Sequence, residues 1–593
     1  MKLLEVFRKI LGFQFFCGLE NSQSMEVLFE KSFYDLGGYS LASIEVIEEL
    51  KLAGIEGVDP HNLQLKINEL APMLLHPAEN ITTTAMPLPG KVLQINRPLL
   101  SKRKRRKDTE PANQSSMRTR RSSLLGETTK IYRRGGVTTW KLNAHLSRDS
   151  LSHSSLTFKK MWSVPMEKCV DGSPIGIKGP VTGGDNWVMA GSHSGKFCCI
   201  NACTGIEIWT INLGERIEAT PHIHNGCVLI GCYDGCLYSV SIANGQVNWK
   251  FSTQDIIKST AITVDLPETR KHDDGRAQQQ IVFGSYDTYV YGLAADSGTQ
   301  LWRFKCSGPI YGTPACFSSF AGGQAVTIIV VPCLSGFMHA ISVPRGKEIS
   351  SYENDSDNRP ESDTTAAANC KGGSICEIWS TRLPAPIFSS PVVAVDGSLL
   401  VVGCADGSVY GINSMNGEHL WKQNCSSSDP IFSSPCLFID DMEHDQSAPL
   451  RIVIGTHDQD SSSLVLLDVF SGNILEKFCL RSGVFSVPFV LHLISCTSEG
   501  TRGGEKLEIT EKFKKLRPIA FVTTIKHNVF ALELCAADGV AHQVDSTKQP
   551  EPSIPNISGE LYSSPIVMDS KVIFGTRADA LHCYSFDVPL EDS

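Results

Sequence analysis

The chain has 593 residues, 41% of them hydrophobic and 20% charged, with a formal net charge of −9, the make-up of an ordinary globular protein long enough for two to four domains. So mild a charge points to no nucleic-acid partner, and no apolar run reaches the length of a membrane span, since Ala325–Val331 is only strand-sized. The 20 cysteines are scattered without a C-x-x-C pair, which argues against a secreted disulfide framework or a zinc cluster and for a reducing, cytoplasmic setting.

The first residues, MKLLEVFRKILGFQFF, read as an amphipathic helix. Glu5, Arg8 and Lys9 interrupt the apolar stretch and no small-residue cleavage site follows, so a signal peptide is not expected. Next comes FYDLGGYSL, Phe33 to Leu41. Gly37 and Gly38 let the backbone turn sharply and a bulky group approach. From Leu41 the apolar stripe Leu41, Ile44, Ile47 and Leu50 predicts a helix. Ser40 therefore opens that helix, where free N–H groups and the macrodipole favour a phosphate; the alternative is an ordinary N-cap. Glu45, Glu48 and Glu49 make the helix acidic, either as a solvated face or as a docking surface for basic partners.

This stretch resembles the carrier-protein (thiolation) family of nonribosomal peptide and polyketide systems, with its F-F-x-L-G-G-[HD]-S-[LI] motif. Phe33, Leu36, Gly37, Gly38, Ser40 and Leu41 fall on it, and Tyr39 departs from it. The resemblance implies a four-helix carrier domain over residues 1–77, ending with the helix in LKINELAPML. It also implies 4′-phosphopantetheine on Ser40, supported by Gly37, Gly38 and Leu41 and attached by a phosphopantetheinyl transferase.

Residues 78–156 lose hydrophobic periodicity and become rich in Ser, Thr, Arg and Lys, the composition of a largely disordered basic linker. Within it the Lys102–Lys107 run is either a nuclear localisation or polyanion-binding signal, or a solvated spacer. Ser122 and Ser123 follow Arg120 and Arg121, the pattern of a basophilic-kinase phosphorylation site.

Residues 157–593 read as repeats. Val228 to Trp249 and Leu400 to Trp421 share an apolar strand, a D-G turn, an alternating strand, an N-G turn and a closing strand ending in Trp. Further copies end at Trp209 and Trp302. Each unit begins near a short S/T-P or related step, at Pro174, Pro221, Thr260, Pro314, Pro391, Pro435, Pro488 and Pro565. These are propeller blades of four strands. Eight are expected, with seven as the alternative because Glu348–Trp379 and Leu491–Arg517 are irregular. The last unit lacks a closing strand and LTFKKMWSV, with Trp162, supplies one, so the two ends of the propeller should seal the ring. The repeats resemble the pyrroloquinoline-quinone (PQQ) repeat family through G-x-x-D-G-x-[LV]-Y-x-[LIV] and T/N-G-x-x-x-W. PQQ itself is not expected as cofactor: Cys198 and Cys199 lie on a strand whose side chains alternate faces, and the tryptophans recur at a packing position.

A carrier, a basic linker and a PQQ-like propeller in this order resemble the carboxy-terminal part of a family of ATP-dependent amino-acid-activating ligases related to acyl-CoA synthetases, in which beta-alanine is implicated. The resemblance implies an adenylation domain ahead of the carrier. This sequence opens inside the first carrier helix and contains no adenylating phosphate loop, so the domain is expected to act in trans. The expected function is acyl carriage on Ser40 for transfer to an unknown acceptor, with a protein among the options, recruited by the propeller. A non-catalytic propeller scaffold is the alternative, and a PQQ-dependent oxidoreductase the last choice.

Overall fold

The computed structural model describes residues 129–142, 156–178, 185–265, 279–321, 324–343, 375–426, 429–440, 449–457, 462–503, 506–515, 518–534 and 550–587. All belong to the second of two units, Met1–Pro111 and Ala112–Ser593. The expected carrier domain, Ser40 and its flanking motif, the Lys102–Lys107 run, Ser122 and Ser123 lie outside the described residues.

The described residues form eight sheets, seven built on four strands consecutive in the chain and the eighth on three consecutive strands and a fourth from far earlier in the sequence. They are the blades of a propeller, which decides for eight over seven. Blade 1 is typical, running Ile175–Lys178, Asn186–Gly191, Lys196–Asn201 and Glu207–Asn212 from the inner edge outwards. Its second strand is buried on both faces, whereas the outermost alternates between exposed and half-buried positions. The middle strands are therefore sandwiched by neighbouring blades, and the cores lie between sheets. One such core joins Ile175, Met189 and Phe197 of blade 1 to Val228, Ile230 and Tyr238 of blade 2.

The recurring tryptophan is an inter-blade staple. Trp209 closes blade 1 and donates from Nε1 to the carbonyl of Ile242 in blade 2, 2.7 Å away. Its ring lies on Gly245, whose φ is +72° and where an added Cβ would come within 2.8 Å of the indole. The glycine of the N-G turn thus serves two needs at once: left-handed backbone and room for the neighbouring blade's indole.

Closure follows the sequence expectation. Thr157–Pro165 pairs antiparallel with Ala580–Asp587, with Trp162 opposite Cys583. Trp162 then packs on Gly205 and donates to the carbonyl of Ala202, 3.1 Å away, repeating the staple between blades 8 and 1. The ring is sealed by non-consecutive strands and the last blade keeps no open outer edge.

Blade 7 departs from the pattern in the region read as irregular. Phe489–Gly503 runs on into a long hairpin with Lys506–Lys515, and outside Asn528–Glu533 the described residues offer only an isolated bridge between Val529 and Ile554. In blade 4, the closing strand Cys376–Arg382 follows a stretch outside the described residues.

One boundary drawn from composition needs correcting. Residues 130–142, assigned to the linker, are strands of the propeller. Lys130–Tyr132 adds antiparallel to the inner strand of blade 1, and Val137–Leu142 adds parallel to the inner strand of blade 7. Between them Arg134 donates to Thr260 Oγ1 and Thr313 Oγ1 of blades 3 and 4, at 3.2 and 2.7 Å. The segment therefore crosses the central opening. Unpaired N–H and C=O groups on the inner strands accept it by strand addition, a driving force that composition does not register.

Of the cysteines described, fifteen carry free thiols. Cys376 is disulfide-bonded, an exception to the unpaired cysteines expected. Cys198 and Cys199 are both free and buried, and face opposite inter-blade cores as strand alternation requires. Burial pushes the Cys198 thiol up to about 12.

Candidate functional site

In every blade the chain enters the inner strand at the same end at which it turns between the second and third strands. The entry is a short step, as in Ile387-Phe388-Ser389-Ser390-Pro391 and Val170-Asp171-Gly172-Ser173-Pro174. A buried aliphatic anchors it; the next side chain is directed to the mouth of the channel. In blade 2 the turn residue Tyr233 donates its N–H to the carbonyl of Arg216, 3.0 Å away, two residues before the mouth position Glu218. His193, Tyr286, Leu334, Ala405, Ile525 and Arg577 make the equivalent bond in their own blades. This repeated bond holds turn and step together, so each blade sets two side chains around the mouth.

The aliphatic, the Ser/Thr and the Pro barely vary between steps, but the mouth position does. Blades 1 to 3 place Asp171, Glu218 and Lys258 there, and blades 4 to 8 place Tyr311, Phe388, Phe432, Phe485 and Tyr562. The five aromatics form a continuous arc with centroid separations of 5.6, 5.1, 4.7 and 4.8 Å in blade order. His457 leans against Phe432 and Phe485 at 5.4 and 4.6 Å.

The other side is a charge network. Arg577 clamps Asp171 with two hydrogen bonds of 3.0 and 2.7 Å and lies 4.0 Å from the Tyr562 ring centroid, joining network to arc. His193 Nε2 stands 3.3 Å from Asp171 and 3.5 Å from Glu218; these are charge contacts without hydrogen-bond alignment. Lys258 reaches Glu218 at 3.2 Å and lies over the Tyr233 and Tyr286 rings at 5.0 and 5.2 Å. Arg216 Nη1 stands 3.5 Å from Glu218 Oε1. Burial alone would raise the Glu218 carboxyl, but the Lys258 ammonium and the His193 imidazolium override it and hold it down at about 2. Burial would likewise lower His193, yet the Asp171 carboxylate lifts it to about 9. Asp171 is held well below the usual carboxylate range by Arg577 and His193 against the opposing effect of burial.

Four cations (Arg216, Lys258, Arg577 and protonated His193) thus meet three carboxylates (Asp171, Glu218 and Glu560). The carboxylates are already matched by fixed cations, which leaves little for a metal ion to gain at Asp171, His193 and Glu218. The mouth is suited to binding: rigid dipoles on one side, ring faces for stacking and cation–π contacts on the other. Sequence reading marked the step prolines and passed over the residue three places before each. The signal was available there, since that position alone changes chemical class, from acid to base to aromatic, in an otherwise near-uniform step. No carrier residue can be set against this ring, because Ser40, Gly37, Gly38 and Leu41 lie outside the described residues.

A family model described as outer membrane protein assembly factor BamB, of the PQQ-like repeat type, matches residues 133–268 and 263–430. The chain belongs to this PQQ-like repeat family. The matched region begins inside the segment that crosses the opening, which is thereby part of the repeat domain. Among curated proteins, the beta-alanine-activating enzyme of Drosophila melanogaster is 25% identical over 361 residues, 50% of this chain and 34% of that protein. The Homo sapiens enzyme is 24% identical over 190 residues, 32% of this chain and 13% of its own length. The chain therefore spans about a third or less of the beta-alanine-activating enzymes it matches. BamB of Burkholderia pseudomallei is 22% identical over 329 residues, covering 52% of this chain and 82% of that protein. Among solved structures, BamB from Moraxella catarrhalis aligns over 74% of this chain and 100% of its own with a TM-score of 0.44 and 15% identity.

Proposed function

We propose that this chain is the acyl-carrier and scaffold part of an ATP-dependent amino-acid-activating ligase of the beta-alanine type. Ser40 carries 4′-phosphopantetheine, a phosphopantetheinyl transferase installs it, and an adenylation domain in trans loads an aminoacyl group as a thioester. The propeller holds the acceptor. Similarity to beta-alanine-activating enzymes supports the class of reaction, and the Phe33–Leu41 motif supports the attachment point. The observation that carries the scaffold role is the mouth, whose fixed charges and aromatic arc suit recognition of a partner with a polar and an apolar end. Tethering then raises the effective concentration of thioester near the bound acceptor.

Intact-mass measurement after coexpression with a phosphopantetheinyl transferase tests the carrier. One pantetheinyl addition on the wild type and none on Ser40→Ala is expected. No addition, or one that survives Ser40→Ala, would leave a propeller interaction scaffold alone.

A further inference from the structure

The repeats provide an internal control for each blade, and blade 4 departs from them at several positions that meet in space. In blades 2, 3 and 5 the aspartate turn (Asp-Gly, Asp-Thr and Asp-Gly) is locked by a tyrosine: Tyr238, Tyr291 and Tyr410 donate to Asp234, Asp287 and Asp406, each at 2.6 Å. In blade 4 the aspartate position holds Ser335 and the tyrosine position holds His339. The turn itself begins at Cys333, a position that cysteine also holds in blades 2 and 5 (Cys232 and Cys404) and serine in blades 1 and 3 (Ser192 and Ser285). Facing it at the end of the preceding blade is Cys306, where Leu213, Leu383 and Leu480 occur in blades 1, 4 and 6 and Cys425 in blade 5. Among the described residues, only at this junction do two thiols and an imidazole coincide.

Cys306, Cys333 and His339 are all buried, and their ligating atoms lie within 4.8 Å of one another. Glu377 on the closing strand accepts from His339 Nδ1 at 2.6 Å, which fixes the ring tautomer and leaves Nε2 as the electron-pair donor. Nε2 accepts the Ser307 N–H at 3.2 Å and lies 2.8 Å from Ser307 Oγ, contacts that a bound ion displaces. Cys376, beside Glu377, is disulfide-bonded and offers no thiol. Blade 8 supplies the contrast: His582 holds the tyrosine position there, with Thr576 in place of the cysteine, and its ring nitrogens have no hydrogen-bond partner among the described residues.

We propose that the junction of blades 3 and 4 is a site for a zinc-class divalent cation held by Cys306, Cys333 and His339. Two thiolates and an imidazole are the donor set that a borderline-soft ion selects, and a carboxylate on the far nitrogen is the usual support of a metal-binding histidine. Ligands at roughly 2.0–2.3 Å from a tetrahedral ion stand roughly 3.3–3.8 Å apart, so donors that lie within 4.8 Å of one another close by at most about 1.5 Å. Binding releases the two thiol protons to solvent and yields a neutral core of one dication, two thiolates and one imidazole. Ser307 Oγ or a water supplies the fourth position. The site is absent from the sequence as a motif because its ligands come from the end of one blade and from a turn and a strand of the next.

Cobalt(II) titration of the reduced, chelator-treated full chain tests the assignment. One equivalent should produce a thiolate-to-cobalt charge-transfer band that zinc abolishes. Cys306→Leu and Cys333→Ser, residues the repeats already use at these positions, should each weaken binding at least tenfold while preserving the circular dichroism spectrum; His582→Gln should change nothing. The assignment is overturned if the wild type gives no such band, if the Cys306→Leu/Cys333→Ser double variant gives the same band, or if anaerobically purified protein contains Cys306 joined to Cys333.

Discussion

Removing the indole of Trp162 tests ring closure. Its side chain is buried, stacks on Gly205 and donates to Ala202, and it sits on the strand Thr157–Pro165 that pairs with Ala580–Asp587 to close the ring. A buried Trp→Ala change costs about 3–5 kcal/mol through lost transfer energy and the cavity left behind. The orphaned Ala202 carbonyl adds up to about 1 kcal/mol. Trp162→Phe keeps most of the packing and loses only the donor, so it should cost about 1 kcal/mol. Gly205→Ala attacks the same contact from the other side, because its Cβ would meet Trp162 Cγ at 2.7 Å on a backbone with φ of +76°. Urea unfolding gives the magnitude and hydrogen exchange the location. Amides of Lys571–Thr576 and Ala580–Asp587 should lose protection first in Trp162→Ala, since opening of blade 8 exposes both strands. A loss below about 1 kcal/mol, or protection lost first in blades 3 to 5, would refute closure by this strand.

Other outcomes follow from the mouth and the turns. Asp171→Asn strands a buried Arg577 and should destabilise the propeller by about 3–5 kcal/mol, with the His193 pKa falling towards its ordinary value by NMR titration. His193 is raised from 6.5 to about 9. The folded state therefore holds its proton more tightly than the unfolded one. That contribution, roughly 3 kcal/mol, is fully present below pH 6.5 and lost as pH rises through about 9; denaturation midpoints of wild type and His193→Gln should converge above that range. Glu218, lowered from 4.5 to about 2, works in the opposite direction: its contribution is present above 4.5 and lost as pH falls through about 2. Tyr238→Phe removes a hydrogen bond to the Asp234 carboxylate and should cost about 1.5–3 kcal/mol, read from the denaturation midpoint. Arg134→Ala should free residues 130–142 for limited proteolysis while the eight sheets persist; unchanged resistance would show that strand addition alone retains the segment.

Sequence reading succeeded where repetition made a position visible several times. The D-G and N-G turns, the tryptophans and the step prolines recur, so eight blades and the borrowed Trp162 strand could be inferred from copies alone. It failed where the informative residue is the one that changes. Asp171, Lys258 and Phe432 share one structural position with nothing chemical in common, so no motif marks the mouth. Residues 130–142 look like linker because their partners are main-chain groups of Ile175–Lys178 and Phe489–Gly503, far away in the chain. The thiol–imidazole cluster of blade 4 is likewise invisible along the sequence, since each member occupies an ordinary repeat position and only their coincidence is unusual.

The most direct test of the central claim is loading of the arm. Pantetheinylated protein is incubated with ATP, labelled beta-alanine and the isolated adenylation domain of a beta-alanine-activating enzyme, and the label bound to this chain is measured before and after hydroxylamine. The account predicts ATP-dependent label that hydroxylamine releases and that Ser40→Ala abolishes. An unlabelled wild type, or equal labelling of Ser40→Ala, would contradict it.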